Sequence, residues 1–561
     1  MDGVNELDSL LSSIARGGAP IMDGHSFARE GIGTGTSHTP REETAIASDD
    51  HGHLDAQARL EDAQTRLAYI RDPMGHTATG RVAQMVKPQG RPERQFGAPT
   101  RIVILGGGFA GATTAEHLER AFGADPSVEV TLVSDTSTLL FTPMLAQVAS
   151  GSLEPSHISS PLRKLLRRTN VVRGRVSSID LKRRMVLLAP DPSSLDGGAP
   201  AVVRRIVPYD HLVVALGSVS NYFGMHNLEK EAFAFKTMWD AIRIRNHVIE
   251  IFERADREQD AEIRRALLTF VVAGGGSAGT AIAGGLNDFA RGMLDHYQNI
   301  RPEEVRTILV HPRERILPEL SAPLATYAIE RMTHRGVTFK LNARVADAQP
   351  GVVVLDTAEK IRTETLVWTA GIRPNPLVSA LPVEQDKRGA VVVDDHLAVP
   401  GHPGVWAVGD CAAATDSRTG ASCPPTAQFA LHEASTLAHN VHASVRGRPL
   451  KAFHFDSPGT LSVIGHRRAC AEIKGLRLCG LFGWLAWGAF YLPKLPGLER
   501  KVRVLVDWLM ESLFSRDIVQ TVKFDQPASA HDDRGAAEPW ASEAKAFALT
   551  GSSPQEEAVG A

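Results

Sequence analysis

A strand, a glycine-rich turn and a helix occur twice in this chain, and that repeat constrains its fold more than any other feature. RIVILGGGFAGATTAEHLERAF (101–122) starts as an apolar run, passes through Gly106, Gly108 and Gly111, and continues with helical spacing. LTFVVAGGGSAGTAIAGGLNDFA (268–290) does the same through Gly274, Gly276 and Gly279. In such a turn the first glycine bends the chain tightly. The second lets backbone N–H groups reach a pyrophosphate, and the third lets helix and strand approach closely. The helix that follows offers free N–H donors and the positive end of its dipole to the phosphates. Phe109 and Ala110 in the first copy, and Ser277 and Ala278 in the second, stand at that helix start. One turn of this kind is a weak signal, because tight turns occur in any α/β sheet. Two in one chain predict an α/β protein with two Rossmann-like dinucleotide-binding units.

The strand after each helix differs between the copies. EVTLVSD (129–135) ends on Asp135, placed to accept from a ribose hydroxyl, whereas VRTILVHP (305–312) brings His311, with Arg313 just beyond. An acid there favours NAD and a basic residue accommodates a 2′-phosphate, so the nucleotide preference stays open. Between the copies, residues 171–214 read as an antiparallel meander with a Gly/Pro/Asp loop at 190–200, and 235–256 has helical period. Residues 1 to about 98 and those from Gln526 onward have no sustained period and read as disordered, apart from one possible helix at 54–71. A length of 561 residues suits about two to four domains. The formal charge of −3 gives no reason to expect nucleic acid as a partner. The four cysteines, Cys411, Cys423, Cys470 and Cys479, have neither CxxC nor metal-ligand spacing and read as free thiols of a reducing compartment. No secretory signal is visible at the N-terminus.

A third segment, GVWAVGDCA (404–412), is a short strand ending in Gly409-Asp410. Together with LFTPMLAQVASGSLEP (140–155), YDHLVVALGS (209–218), VWTAGIRPNP (367–376), PPTAQFALHEA (424–434) and YLPKLPGLERKVRVLVDW (491–508), it makes residues 99–525 resemble a known family. That family is the type II (non-proton-pumping) NADH dehydrogenases, the NADH:quinone oxidoreductases of the two-dinucleotide-binding flavoprotein superfamily. Disulfide reductases of the superfamily carry a cysteine pair after the first unit, and sulfide:quinone oxidoreductases need active-site cysteines. This chain has no cysteine before Cys411, which turns the reading away from both.

The resemblance implies an NAD(P)-binding domain (235–366) inserted in an FAD-binding domain (99–234 and 367–440), then a membrane-associating region (441–525). It implies non-covalent FAD held by Gly106, Gly108, Phe109, Ala110, Gly111, Asp135, Thr142, Pro143, Ala215, Gly217, Gly409, Asp410, Ala427 and Gln428. NADH or NADPH would be held by Gly274, Gly276, Ser277, Ala278, Gly279, His311, Ala370 and Gly371. Gln428 and His432 would meet a membrane quinone, with His432 standing where the AQxAxQ motif ends in Gln. The family's helix after the second turn commonly carries a Glu, and here Ala281 takes its place. A homodimer is a further family-level expectation.

No segment has the roughly 20 apolar residues of a membrane span. The nearest, 476–492, has 17 residues, contains Arg477, and is rich in Trp and Tyr, which favour the headgroup boundary. The following helix places Leu498, Val502, Leu505, Val506, Leu509 and Leu513 on one face, with Arg500, Lys501 and Arg503 off it. A basic, amphipathic and aromatic region reads as an interfacial anchor on the cytoplasmic side of the cell membrane. An ordinary docking pair of helices is the competing reading. Two other functions remain open from the sequence: a soluble NAD(P)H oxidoreductase serving a protein partner or oxygen, and a flavin-binding regulatory protein with weak turnover.

Overall fold

A computed structural model describes residues 98–190 and 205–520. The expected disordered ends, the possible helix at 54–71 and most of the loop expected at 190–200 lie outside the described residues.

The first glycine turn joins β1 (Thr100–Leu105) to α1 (Phe109–Phe122), and β2 (Val128–Ser134) follows. β1 and β2 pair in parallel with Leu105 opposite Val133. Ile102, Ile104 and Leu105 are fully buried, as a strand covered on both faces must be, which is why its text is a continuous apolar run. β3 (Asn170–Arg173) continues this sheet beside β2. β4 (Val176–Asp180), β5 (Met185–Leu188) and β6 (Arg205–Pro208) form a separate antiparallel sheet, and β7 (His211–Val214) returns to pair in parallel with β1.

The antiparallel meander expected over 171–214 is therefore shorter than the sequence suggested. Its two ends, β3 and β7, belong to the parallel sheet. Each carries an apolar run without alternation, Val171-Val172 and Leu212-Val213-Val214, and all five residues are buried, as in a strand covered on both faces.

The second unit runs through β8 (Phe233–Ala234), α2 (Met238–Arg257), β9 (Thr269–Ala273), α3 (Ser277–Met293), β10 (Arg306–His311) and β11 (Val337–Leu341). α2 begins on a capping box: Thr237 Oγ1 accepts from Asp240 N at 3.1 Å, and the Asp240 carboxylate accepts from Thr237 N at 2.8 Å. β12 (Val345–Gln349), β13 (Val352–Leu355) and β14 (Lys360–Arg362) form an antiparallel sheet, and β15 (Thr365–Trp368) rejoins the parallel one. β16 (Val405–Ala407) then closes the first sheet, and α4 (Ala427–Val445) packs across α1.

The two five-stranded parallel sheets have the orders β16-β7-β1-β2-β3 and β8-β15-β9-β10-β11. In each, the glycine turn leaves the central strand, where the order of strands reverses. That is the crevice in which open α/β sheets bind ligands.

The C-terminal part adds β17 (Gly459–Gly465), β18 (Arg468–Ile473), β19 (Leu476–Cys479), α5 (Gly480–Tyr491) and α6 (Leu498–Leu513). The apolar stretch 476–492 is thus not one helix. Lys474 and Gly475, with φ of 48° and 86°, turn the chain back along β18 and make its first four residues a strand. No helix among the described residues is long and apolar enough to cross a membrane. Trp487 of α5 and Val504 and Trp508 of α6 face the body of the protein. The face of Leu498, Val502, Leu505, Val506, Leu509 and Leu513 is exposed, joined by Leu481, Phe482 and Leu485 of α5. α6 is tied down on its other side, where Asp507 meets His157 at 2.6 Å and Glu511 accepts from Ser152 Oγ at 2.6 Å.

Candidate active site

The two turns have the same geometry, residue for residue. Gly106 has φ +109°, and a Cβ there would stand 2.2 Å from Ala215 O; Gly274 has φ +110°, with Thr369 Oγ1 at 2.6 Å from the same point. A Cβ at Gly111 would stand 1.9 Å from Gly106 O, and one at Gly279 would stand 1.8 Å from Gly274 O. The middle positions are open by contrast. Nothing lies within 4 Å of a Cβ built at Gly108, and at Gly276 only Glu319 Oε1 is met, at 4.0 Å. Each turn is closed where helix meets strand and vacant where a phosphate would approach the backbone. Gly108 and Gly276 are the N-caps of α1 and α3, and neither helix has a side-chain cap, so its first donors face that space.

A cavity of about 680 Å³ receives both turns. Gly108, Phe109 and Ala110 line it from the first and Ser277 and Ala278 from the second. Thr142, Pro143, Ala215, Gly217, Gly371, Gly409, Asp410, Ala427 and Gln428 also line it. Ala281 forms part of the same wall. Gly106, Gly111, Gly274, Gly276 and Gly279 shape the turns without lining the cavity, and Ala370 is exposed beside the second turn. Asp135 is exposed one residue past the end of β2, next to the first turn because Gly106 N donates to Val133 O.

Two residues have surroundings that the sequence did not show. His311 is buried beneath the second turn, where its Nδ1 accepts from Gly275 N at 3.0 Å. Burial, and then Arg313, hold its pKa below the ordinary value, so it is a neutral imidazole supporting the turn. Its Nε2 is buried with no hydrogen-bond partner among the described residues. His432 does not line the cavity; its ring lies 3.8 Å from that of Phe455 with the planes 22° apart. Its pKa is also lowered, first by partial burial and then by Lys494.

The structure adds charged groups that the motifs did not single out. Asp410 Oδ2 accepts from Ser218 Oγ at 2.5 Å and lies 3.4 Å from Lys236 Nζ, so a cation balances this carboxylate at the cavity wall. Gly409, at φ +76°, brings the pair close to α1: a Cβ there would stand 3.0 Å from that of Ala110. Glu433 is 3% exposed and accepts from Gly409 N at 2.7 Å. Burial pushes its carboxyl up to about 7, and Asp410 adds to the rise. Among the described residues no cation is paired with it. Glu319 accepts from Ser277 N at 3.3 Å, so a carboxylate now occupies the anion position at the start of α3.

Leu461, Val463, Trp487 and Tyr491 bring the C-terminal part into the cavity wall. Beyond them Lys494 Nζ lies 3.3 Å from the centre of the Phe490 ring, and burial lowers its ammonium to about 8. The single hint of Lys494 and Glu433 in the sequence was their presence inside quoted motifs.

Two dinucleotide turns opening on one cavity define a pyridine nucleotide flavoprotein fold. Residues 100–436 match the pyridine nucleotide-disulphide oxidoreductase family, and 458–517 match the NDH2 C-terminal domain. The chain is 32% identical over 460 residues to the type II NADH:quinone oxidoreductase Ndh of Mycobacterium tuberculosis, covering 79% of this chain and 95% of the relative. It is 31% identical over 424 residues to a probable NADH dehydrogenase of Dictyostelium discoideum, covering 74% and 90%. The solved structure of NDH2 from Plasmodium falciparum in complex with NADH shares the fold, with TM-score 0.67, 19% identity, and coverage of 75% of this chain and 99% of that one. The chain belongs to the type II NADH:quinone oxidoreductases.

The turns give a paired prediction. Gly111→Ala forces a Cβ against Gly106 O and should lower both thermal stability and flavin content. Gly108→Ala meets open space, so it should fold normally and lose flavin affinity by about tenfold or more, read by flavin fluorescence release. Equal stability loss in both variants would refute the division of roles.

Glu433 gives a second. Its folded pKa is raised from 4.5 to about 7, so its stabilising proton is fully present below the ordinary carboxyl range and lost as pH rises through 7. Glu433→Gln keeps an acceptor for Gly409 N and should flatten that part of the stability curve, by at most about 3 kcal/mol. Chemical denaturation at several pH values checks it; an unchanged slope rejects the assignment.

Proposed function

We propose that this chain is a peripheral membrane enzyme that oxidises NADH and reduces a membrane quinone, with no proton pumping: NADH + H⁺ + Q → NAD⁺ + QH₂. The observation that carries the reading is the single cavity, into which both glycine turns and the C-terminal helix α5 bring residues. FAD, when bound, supplies the redox chemistry by accepting two electrons from the nicotinamide and passing them to the quinone. The chain's own part is to bind, orient and tune.

In this reading 99–234 and 367–440 form the flavin-binding domain, 235–366 the nicotinamide nucleotide domain, and 441–525 the membrane-associating region. Gly106, Gly108, Gly111 and Asp135 hold the adenosine half of FAD. Thr142, Pro143, Ala215, Gly217, Ala427 and Gln428 surround the rest, with Asp410 on the ribityl chain. The open middle glycine of the first turn supports this. Gly274, Gly276, Ser277, Ala278, Gly279, Ala370 and Gly371 take the nicotinamide nucleotide, and the unpartnered Nε2 of His311 supports a polar group above it. The Glu319 carboxylate must give way to that nucleotide's pyrophosphate. Gln428 faces the quinone, and His432 with Lys494 flanks its approach.

The exposed apolar face of α5 and α6 lies in the headgroup region of a bilayer, on the cytoplasmic side of the cell membrane. Arg500, Lys501 and Arg503 suit anionic headgroups. A second copy of the chain is the other surface that this face fits.

Stopped-flow mixing tests the chemistry: NADH should bleach the flavin, and a short-chain quinone should restore it. Failure of a fully flavinated preparation to be reoxidised by quinone overturns the reading, and reoxidation by oxygen alone favours a soluble oxidoreductase. Vesicle flotation tests the surface. The wild type should float with the lipid, and a Leu505→Glu/Leu509→Glu variant should bind vesicles at least about tenfold more weakly with NADH reduction of flavin unchanged. A wild type that stays in the aqueous fraction as a dimer assigns the face to the second copy instead.

A further inference from the structure

Away from the cavity the fold brings two thiols face to face. Cys470 on β18 and Cys479 at the end of β19 are register partners across an antiparallel hairpin. The two-residue turn at Lys474-Gly475 fixes that register. Hydrogen-bonded and non-hydrogen-bonded pairs alternate from such a turn, starting with the hydrogen-bonded pair Ile473–Leu476. Counting outward, Cys470–Cys479 is a non-hydrogen-bonded pair, the kind whose Cα atoms approach to about 4.5 Å. That lies within the roughly 4.4–6.8 Å that a disulfide spans.

The side chains also point at each other. As register partners the two side chains lie on one face of the hairpin, and the Cys479 thiol together with burial holds the Cys470 thiol above its ordinary range. Cys470 is fully buried and Cys479 is partly exposed, so an oxidant reaches Cys479 first. Arg331 and Arg468 stand in the same neighbourhood, around Tyr327. Cys470 Sγ also donates to Leu324 O at 3.7 Å, a weak contact that closure would give up; the other two thiols, Cys411 and Cys423, are both buried and are not register partners of another cysteine.

We propose that Cys470 and Cys479 are a reversible redox pair that closes to a disulfide under peroxide. The steps balance without any further reactant. The Cys479 thiolate attacks hydrogen peroxide, forms a sulfenic acid and releases hydroxide. The Cys470 sulfur then displaces the sulfenic oxygen as water, so that two thiols and one peroxide give one disulfide and two waters. A small-molecule disulfide reaches the same product by exchange. The bond sits at the root of α5, since Gly480 follows Cys479 directly, and it leaves the reduced, free-thiol form as the resting state of a reducing compartment.

The full-length holoprotein is treated with hydrogen peroxide, alkylated without reductant, and digested with trypsin, which cuts at Lys474 and Arg477 between the two cysteines. The expected product is a cross-linked pair of peptides, 469–474 joined to 478–494, with free thiols falling from four to two and returning to four with dithiothreitol. Cys479→Ser, a change at the partly exposed site, should abolish the cross-link and leave three thiols unreacted. In Cys470→Ser the lone Cys479 should instead oxidise onward to sulfinic acid. The proposal is overturned if wild-type Cys479 gives sulfinic acid with Cys470 still alkylated, or if the cross-link runs between chains on a non-reducing gel.

Discussion

One contact sets the geometry on which the rest depends: the carbonyl of the first glycine in each turn lies where the third glycine's side chain would be. At Gly111 and Gly279 only a hydrogen fits between α-helix and turn. That closeness aims each helix start at the carboxyl end of its central strand and leaves the middle glycine facing empty space. Because the contact occurs twice in similar sheets, two helix starts converge on one cavity. A methyl group at either contact would move the helix away from the strand and the donors away from the cavity. The glycines are thus needed less for flexibility than for the volume they leave unfilled.

The cavity's charges divide into compensated and uncompensated groups. Asp410 is tied to Ser218 and faces Lys236, so its negative charge is met locally. Glu433 has only the Gly409 amide, which favours the ionised form, and burial outweighs it and raises the carboxyl to about 7. The neighbouring Asp410 carboxylate adds to that rise. The same economy appears at the second turn, where His311 stays neutral and gives its lone pair to the Gly275 amide. At the start of α3 the Glu319 carboxylate occupies the donor that an anionic ligand would claim. Ligand binding there includes displacing a charge already present.

What could be read from the sequence was what depends on neighbours along the chain. Turn chemistry and helical period located both glycine turns and α2, because Gly106 and Thr237 act on residues within a few positions of themselves. The meander was overextended at both ends, since a four-residue apolar strand has the same text in an antiparallel sheet as in a parallel one. The stretch 476–492 read as one apolar segment, and the Lys474-Gly475 turn just before it makes its first four residues a strand. Lys236 and Asp410 are 174 positions apart and meet only through the tertiary fold. His311 occupies the expected strand end, but the direction of its ring, which fixes its role, is set by packing. The cysteine pair escaped for the same reason: spacing along the chain says little about a register set by a hairpin.

α5 has an outward side of Leu481, Phe482 and Leu485 and contributes Trp487 and Tyr491 to the cavity wall. One helix therefore has an exposed apolar side and a side on the cavity. If that exposed side rests on a bilayer, as proposed, then for an acceptor that dissolves in lipid the concentration that matters is its mole fraction in the bilayer, not its amount per volume of buffer. Adding empty vesicles or detergent micelles would then dilute the acceptor without removing any of it. The apparent KM would rise with total lipid, while the half-reaction with a water-soluble donor would not notice the change.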